Sequence, residues 1–158
     1  MKTPLNNYFN KPKWNPLNIT AEEYIDQYIK AEIPVEVEPR RKDKRAQAAR
    51  IYRENVINFM MHTCSPNCIV DGKCSKRFPK PWGWSNKVSD NAYPAYRRRP
   101  PAITEVEKAA NPDLYGETAI DPRSKRVAKI FDNRHVVAHN PYLLNKYKSQ
   151  YVLSLLCI

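Results

Sequence analysis

Met61-His62-Thr63-Cys64-Ser65-Pro66-Asn67-Cys68-Ile69-Val70-Asp71-Gly72-Lys73-Cys74-Ser75-Lys76-Arg77-Phe78-Pro79-Lys80 is the stretch around which the chain is organised. Three of the four cysteines and one of the three histidines fall within thirteen residues, spaced His-x-Cys-x3-Cys-x5-Cys. Thiolate and imidazole groups at such intervals suit zinc, which takes four of them tetrahedrally. Pro66-Asn67 and Asp71-Gly72 are turn signals that fold the chain back between ligands. The expected metal set is His62, Cys64, Cys68 and Cys74, holding a structural zinc. His62 is its least secured member, with His135, His139 or a water as alternatives for the fourth position. The blander reading is three free core cysteines.

Working outward, Ala46 to Met61 carries no proline or glycine. It predicts the best helix, with Ala48, Tyr52, Val56, Phe59 and Met60 on one face and Arg50, Arg53 and Glu54 off it. Upstream, Thr20-Ala21-Glu22-Glu23 is a capping box opening a short helix with a Tyr24, Ile25, Tyr28 and Ile29 stripe, closed by Pro34. Residues 1–19 form an irregular arm. The basic run from Arg40 to Arg45 reads as a solvated linker and helix start as readily as a phosphate contact.

Downstream, Lys73, Lys76, Arg77 and Lys80 alternate with Phe78, Trp82 and Trp84. Such a pattern can hold a single nucleic-acid strand, or the rings can simply roof a metal-held core. Tyr96 to Arg99 predicts an edge strand, with Arg97 and Arg99 pointing one way and Arg98 the other, and room for one arginine to pair with a carboxylate. Residues 100–129 predict a loop with one short helix near 103–110 and no chemistry. Phe131 to His139 opens with a turn and continues as a strand, which would hold His135 and His139 roughly 13 Å apart, too far for one shared ion. Asn140 and Pro141 start a last helix, buried through Tyr142, Leu143, Leu144 and Tyr147, and residues 151–158 form an apolar strand.

The fold class expected is α+β: a small, irregular, proline-rich fragment with two or three short helices, a few strands and a zinc-held loop. Fourteen prolines against three glycines limit long regular elements, and 42% apolar residues imply a modest core. The net charge of +11, from 27 basic and 16 acidic residues, points to a polyanion, nucleic acid first. No apolar run reaches the ~18 residues of a membrane span, so an intracellular, reducing setting is expected.

Several blocks, in order, resemble the helicase-like N-terminal domain of Helitron rolling-circle replication-initiator/helicase proteins. They are Tyr28-Ile29-Lys30-Ala31-Glu32-Ile33-Pro34, Met61 to Cys64 leading to Asp71 through Lys80, and Tyr93-Pro94-Ala95-Tyr96-Arg97-Arg98-Arg99. The last is Asp132 to Val137 with Asn140-Pro141-Tyr142-Leu143-Leu144-Asn145-Lys146-Tyr147. The resemblance implies that residues 20–158 are a partial domain of this kind, from a DNA nickase in which paired histidines hold a divalent metal and tyrosines attack the phosphate. This chain has no His-x-His, no matching tyrosine motif and no phosphate-cradling Gly-x-x-x-x-Gly-Lys-Ser/Thr.

The expected function is therefore binding of DNA, single-stranded above all, in the nucleus, without catalysis. No small-molecule substrate is evident, and association with a full-length transposase is open. The candidate contacts are Lys73, Lys76, Arg77, Lys80, Arg97, Arg98, Arg99 and Arg134. The alternatives are a stand-alone zinc-stabilised module for RNA or protein, and a non-functional transposon remnant.

Overall fold

Thr20 caps a short helix as expected. In the computed structural model, which describes residues 18–38, 41–88 and 94–148, its hydroxyl accepts from the Glu23 amide at 3.1 Å while Glu23 accepts from the Thr20 amide at 2.7 Å. This reciprocal cap satisfies two donors that the first turn would otherwise leave bare. It opens α1 (Ala21–Tyr28), which buries Ala21 and Ile25. Tyr28 is exposed, so the expected stripe is narrower than its apolar residues suggested.

Asp43 caps the next helix, α2 (Lys44–Phe59), accepting from the Arg45 and Ala46 amides. Val56 and Met60 on this helix and at its C-cap are buried, with Tyr52 and Phe59 packed partly against them. Two face assignments differ from expectation. Ala48 is exposed, and Arg53 turns inward, donating to the carbonyls of Pro34 and Thr118. A long arginine can lay its stem along apolar surface and spend its fork on carbonyls, which periodicity alone does not foresee.

Beyond α2 a 3-10 turn (Pro66–Cys68) leads into a two-residue hairpin, β1 (Ile69–Val70) against β2 (Lys73–Cys74). Asp71 and Gly72 both have positive φ, 50° and 73°, the combination of a tight two-residue hairpin turn. Later elements are α3 (Glu105–Ala110), opened by a Thr104–Glu107 capping box, then β3 (Ala119–Ile120) paired antiparallel with β4 (Ile130–Phe131). Last comes α4 (Pro141–Tyr147), capped by Asn140. Among the described residues, four helices and two small two-stranded sheets make an α+β fold, where two or three short helices were expected.

The core joins Ile33, Val56, Met60, Met61, Ala119, Phe131, Val136 and Leu144. α2 and α4 pack on one another. Leu144 is the buried residue of α4, whereas Tyr142 and Tyr147 are exposed, against expectation. With seven residues the helix turns only about twice, so one narrow stripe reaches the core.

The expected strands over 96–99 and 135–139 are extended segments held by single bridges. Arg98 bridges Gly83 and Ala95 bridges Lys87, while Val136 bridges Met61 and His139 bridges Lys30. Segment 136–139 spans two neighbours, so each pairs with it at one residue. The 3-10 turn Asn133–His135 sits just before it. Residues 1–17 of the expected arm over 1–19, and the strand over 151–158, lie outside the described residues.

Candidate metal centre and basic surface

Each ligand of the expected cluster is delivered by a local feature. α2 ends at Phe59, and the His62 amide then donates to the His135 carbonyl at 2.8 Å, fixing the extended segment that carries His62 and Cys64. The 3-10 turn presents Cys68, whose carbonyl accepts from Ser75 at 2.8 Å, tying it to the far end of the hairpin. β1 and β2 pair Ile69 with Cys74, so the Asp71-Gly72 turn returns Cys74 beside Cys68.

One ligand atom from each of His62, Cys64, Cys68 and Cys74 lies within 4.8 Å of all the others. His62 Nε2 is 3.3 Å from Cys64 Sγ, 3.6 Å from Cys68 Sγ and 3.3 Å from Cys74 Sγ, and the Cys68 and Cys74 sulfurs are 3.5 Å apart. Zinc bonded at about 2.3 Å to sulfur and about 2.0 Å to nitrogen sets tetrahedral S–S edges near ~3.8 Å and S–N edges near ~3.6 Å. The four edges given lie close to that tetrahedron, the two remaining sulfur pairs of Cys64 fall within 4.8 Å, and the Cys68–Cys74 edge is far longer than the ~2.05 Å of a disulfide. These residues therefore fit a closed four-ligand zinc site, with His62 as the fourth member.

The electrostatics suit a metal. Burial is the main factor holding His62 below its ordinary range, and the charges of Lys76, Lys80, His135 and Lys129 add to it, so the ring is neutral and its Nε2 free to ligate. Burial works against the Cys74 thiolate, but the amides of Phe78 and Lys76 and the Cys64 and Cys68 thiols outweigh it and bring Cys74 down to about 7. Cys64 is the counterpart, pushed up to about 11 by its bond to Cys74, then by burial and by Cys68. Backbone amides aimed at a ligand sulfur orient it and moderate its charge. The His62 ring also stacks on Phe78, centroids 4.2 Å apart.

The other two histidines are occupied elsewhere. His139 is buried, with Nδ1 donating to the Val137 carbonyl at 2.9 Å, so Nε2 accepts from the Tyr52 hydroxyl at 2.8 Å. Burial holds it near pKa 4. His135 faces Asp132, Nδ1 to Oδ1 3.2 Å.

The expected nucleic-acid residues divide into two groups. Lys73, Lys76 and Arg77 are exposed around the hairpin. Lys80 is half-buried, its Nζ donating to the Lys76 carbonyl at 2.7 Å and lying 4.9 Å from the Phe78 ring centre. Its amide donates to the Arg134 carbonyl at 2.9 Å, which brings Arg134 to the same side. Arg134 pairs with Asp132 at 2.8 Å and lies over Trp82, 4.5 Å from its ring centre. These five cations and two rings adjoin the metal cluster.

Of the other three, Arg98 is buried, whereas Arg97 and Arg99 are half-buried and paired with Glu32. Arg99 clamps Glu32 with two bonds, Nε to Oε1 at 2.9 Å and NH2 to Oε2 at 2.8 Å, and Arg97 adds a third at 3.2 Å. Burial alone would raise the Glu32 carboxyl, but these guanidiniums outweigh it and hold it below the usual range. Arg98 is 4% exposed and donates from NH1 to the carbonyls of Asn133 at 2.7 Å and Val136 at 2.6 Å. Arg98 is therefore withdrawn from the expected surface set, because a guanidinium this deeply buried is not presented to a phosphate. The alternation of side chains along an extended chain anticipated the split, though not that Glu32 would take both outward arginines.

Asn133 completes this interior. It accepts from the Ile33 amide at 2.7 Å and donates to the Arg99 carbonyl at 2.9 Å. Gly116 lies so close that a Cβ there would stand 2.2 Å from Asn133 Nδ2 and 2.4 Å from the Arg99 oxygen.

One basic segment went unread in the sequence. Between β3 and β4, Arg123, Lys125, Arg126 and Lys129 are exposed, and Arg123 NH2 donates to Thr63 Oγ1 at 3.0 Å, between ligands His62 and Cys64. The signal available was the run Arg123-Ser124-Lys125-Arg126 itself. No family model, curated protein or solved structure matches the chain.

Proposed function

We propose that this chain is a zinc-stabilised nucleic-acid-binding fragment of a Helitron-type rolling-circle initiator, holding single-stranded DNA on the face beside the knot and performing no strand cleavage. When bound, zinc supplies a cross-link between the end of α2, the 3-10 turn and β2, in place of a larger core. The observation that carries the proposal is the grouping of Lys73, Lys76, Arg77, Lys80 and Arg134 with the Phe78 and Trp82 rings around that cluster. Cations track a phosphate backbone, and an exposed ring such as Trp82 offers a base a stacking face. The ordered blocks that resemble the Helitron domain support the DNA assignment, a nuclear setting and association with a full-length transposase. The absence of His-x-His from the sequence supports binding without nicking.

Fluorescence anisotropy with a labelled oligothymidylate, across a salt series, tests this. About five phosphate contacts on a single strand correspond to a log–log salt slope of roughly −3.5. Absence of binding at low salt, or an affinity indifferent to salt, would refute it. Metal-dependent cleavage of the labelled strand would refute the non-catalytic half. Preference for a duplex RNA, or binding without salt dependence to a protein partner, would favour the stand-alone module.

A further inference from the structure

We propose that the β3–β4 hairpin is a second nucleic-acid-binding arm, which with the zinc knot flanks a seam that a single strand's phosphates occupy. The inference rests on the nucleic-acid reading of the knot face and extends the surface to a part of the chain that carried no chemistry in the sequence.

The hairpin is a built element. Ala119 pairs with Phe131 and Ile120 with Ile130, and the Asp121 amide continues the pairing to the Lys129 carbonyl at 2.8 Å. Buried Asp121 then organises the tip. Its Oδ1 accepts from the Arg123 amide at 2.9 Å and from Arg123 Nε at 3.0 Å, while its carbonyl accepts from the Ser124 hydroxyl at 2.6 Å. With Nε so engaged, Arg123 NH2 reaches Thr63 Oγ1 at 3.0 Å, which pins the hairpin to the segment between His62 and Cys64.

Beyond that pin the tip is cationic and open. Lys125 and Arg126 are exposed and form no ion pair among the described residues. Lys129 Nζ lies 5.1 Å from the centre of the Phe131 ring. Ile120 and Ile130, cross-strand partners, are 62% and 65% exposed, an apolar pair beside the cations. Beside the same cluster stand Lys76 and Lys80, Lys80 Nζ donating to the Lys76 carbonyl and lying 4.9 Å from the centre of the Phe78 ring that stacks on His62. A compact protein leaves an isoleucine pair and unpaired cations together on a pinned hairpin at some cost. A flexible strand with a charged backbone and apolar base faces complements both.

The test measures binding of the labelled oligothymidylate by the zinc-loaded full chain in four forms. They are the unaltered protein, Lys125→Ala/Arg126→Ala, Lys76→Ala/Arg77→Ala, and Lys42→Ala/Lys44→Ala. The last removes two exposed cations at the opposite end of α2, about 24 Å from the knot by helix rise. Zinc content and the circular-dichroism melt verify that each folds. The hairpin variant is expected to bind about tenfold more weakly at low salt, with a salt slope shallower by about 1.4, the value for two single-strand phosphate contacts. The Lys42/Lys44 variant is expected to keep the unaltered slope. Unchanged binding by the hairpin variant would overturn the inference and leave the knot reading intact, and so would equal losses in the hairpin and Lys42/Lys44 variants. A loss confined to the hairpin variant, with Lys76→Ala/Arg77→Ala binding normally, would uphold the arm and overturn the knot face. No binding by the unaltered protein would overturn both.

Discussion

Replacing Arg98 by methionine removes one buried cation and takes a charged donor from the carbonyls of Ala31, Asn133 and Val136, of which Asn133 keeps the Val136 amide at 3.4 Å. NH1 of Arg98 donates at 2.7 Å to Asn133 and at 2.6 Å to Val136, and the residue is 4% exposed. Hydrogen bonds from a charged donor contribute about 1.5–3 kcal/mol each, and a buried acceptor left bare costs a similar amount. Methionine refills most of the volume of the arginine stem, so little cavity cost is added. The expected loss is about 3–5 kcal/mol, a large share of the ~5–15 kcal/mol typical of a domain. For a chain of this length that lowers the melting temperature by roughly 10 °C. Urea denaturation with zinc in excess measures it, read alongside the salt slope of oligonucleotide binding at a temperature where the variant is folded. A loss below about 1 kcal/mol would show that the carbonyls find water and that Arg98 is not an internal tie. A salt slope shallower by about 0.7, with stability unchanged, would place Arg98 on a phosphate and refute its assignment to the interior.

Three further outcomes follow from the same geometry. His139, held near pKa 4 by burial, is neutral in the fold, so its share of stability is complete above its unfolded pKa of about 6.5 and is lost as pH falls from there toward 4. Its imidazole resonances should not titrate between pH 7 and 5, and a midpoint at 6 or above would refute the Tyr52–His139 pair as a closed one. Gly116→Ala drives a methyl against the Arg99 carbonyl and the Asn133 amide and should cost about 3 kcal/mol or more in a urea melt; a cost below about 1 kcal/mol would mean the contact yields freely. Gly72→Ala meets nothing within 4 Å and carries only the strain of its φ of 73°, so a competition titration should find zinc affinity reduced about five- to tenfold; unchanged affinity would refute the link between turn and ligand geometry.

The parts legible in the sequence were those written locally. The Thr20 and Asn140 caps, the turn at Asp71-Gly72 and the four-ligand spacing each sit within a few residues of the group they control. Alternation over Tyr96 to Arg99 was legible for the same reason. Less was legible wherever distant segments meet. Glu32 and Arg99 are 67 positions apart, and nothing near either announces the clamp. Ala48 and Arg53 were misplaced because a helix of weak amphipathicity is seated by what surrounds it. Tyr142 and Tyr147 were expected to be buried because they are large and apolar, but α4 offers the core only the stripe through Leu144. The strand expected over 135–139 dissolved into single bridges because its two neighbours share it. His139, an open alternative for the fourth ligand, was settled by Tyr52, 87 positions away.

Every proposal about binding depends on the knot being held by metal. The most direct measurement is zinc content by native mass spectrometry, on the unaltered chain and on Cys74→Ala, paired with circular dichroism before and after a chelator. One zinc per chain is expected, lost in the variant, with loss of ordered structure when the ion is stripped. A chain that carries no zinc and melts identically with and without chelator would contradict the metal centre.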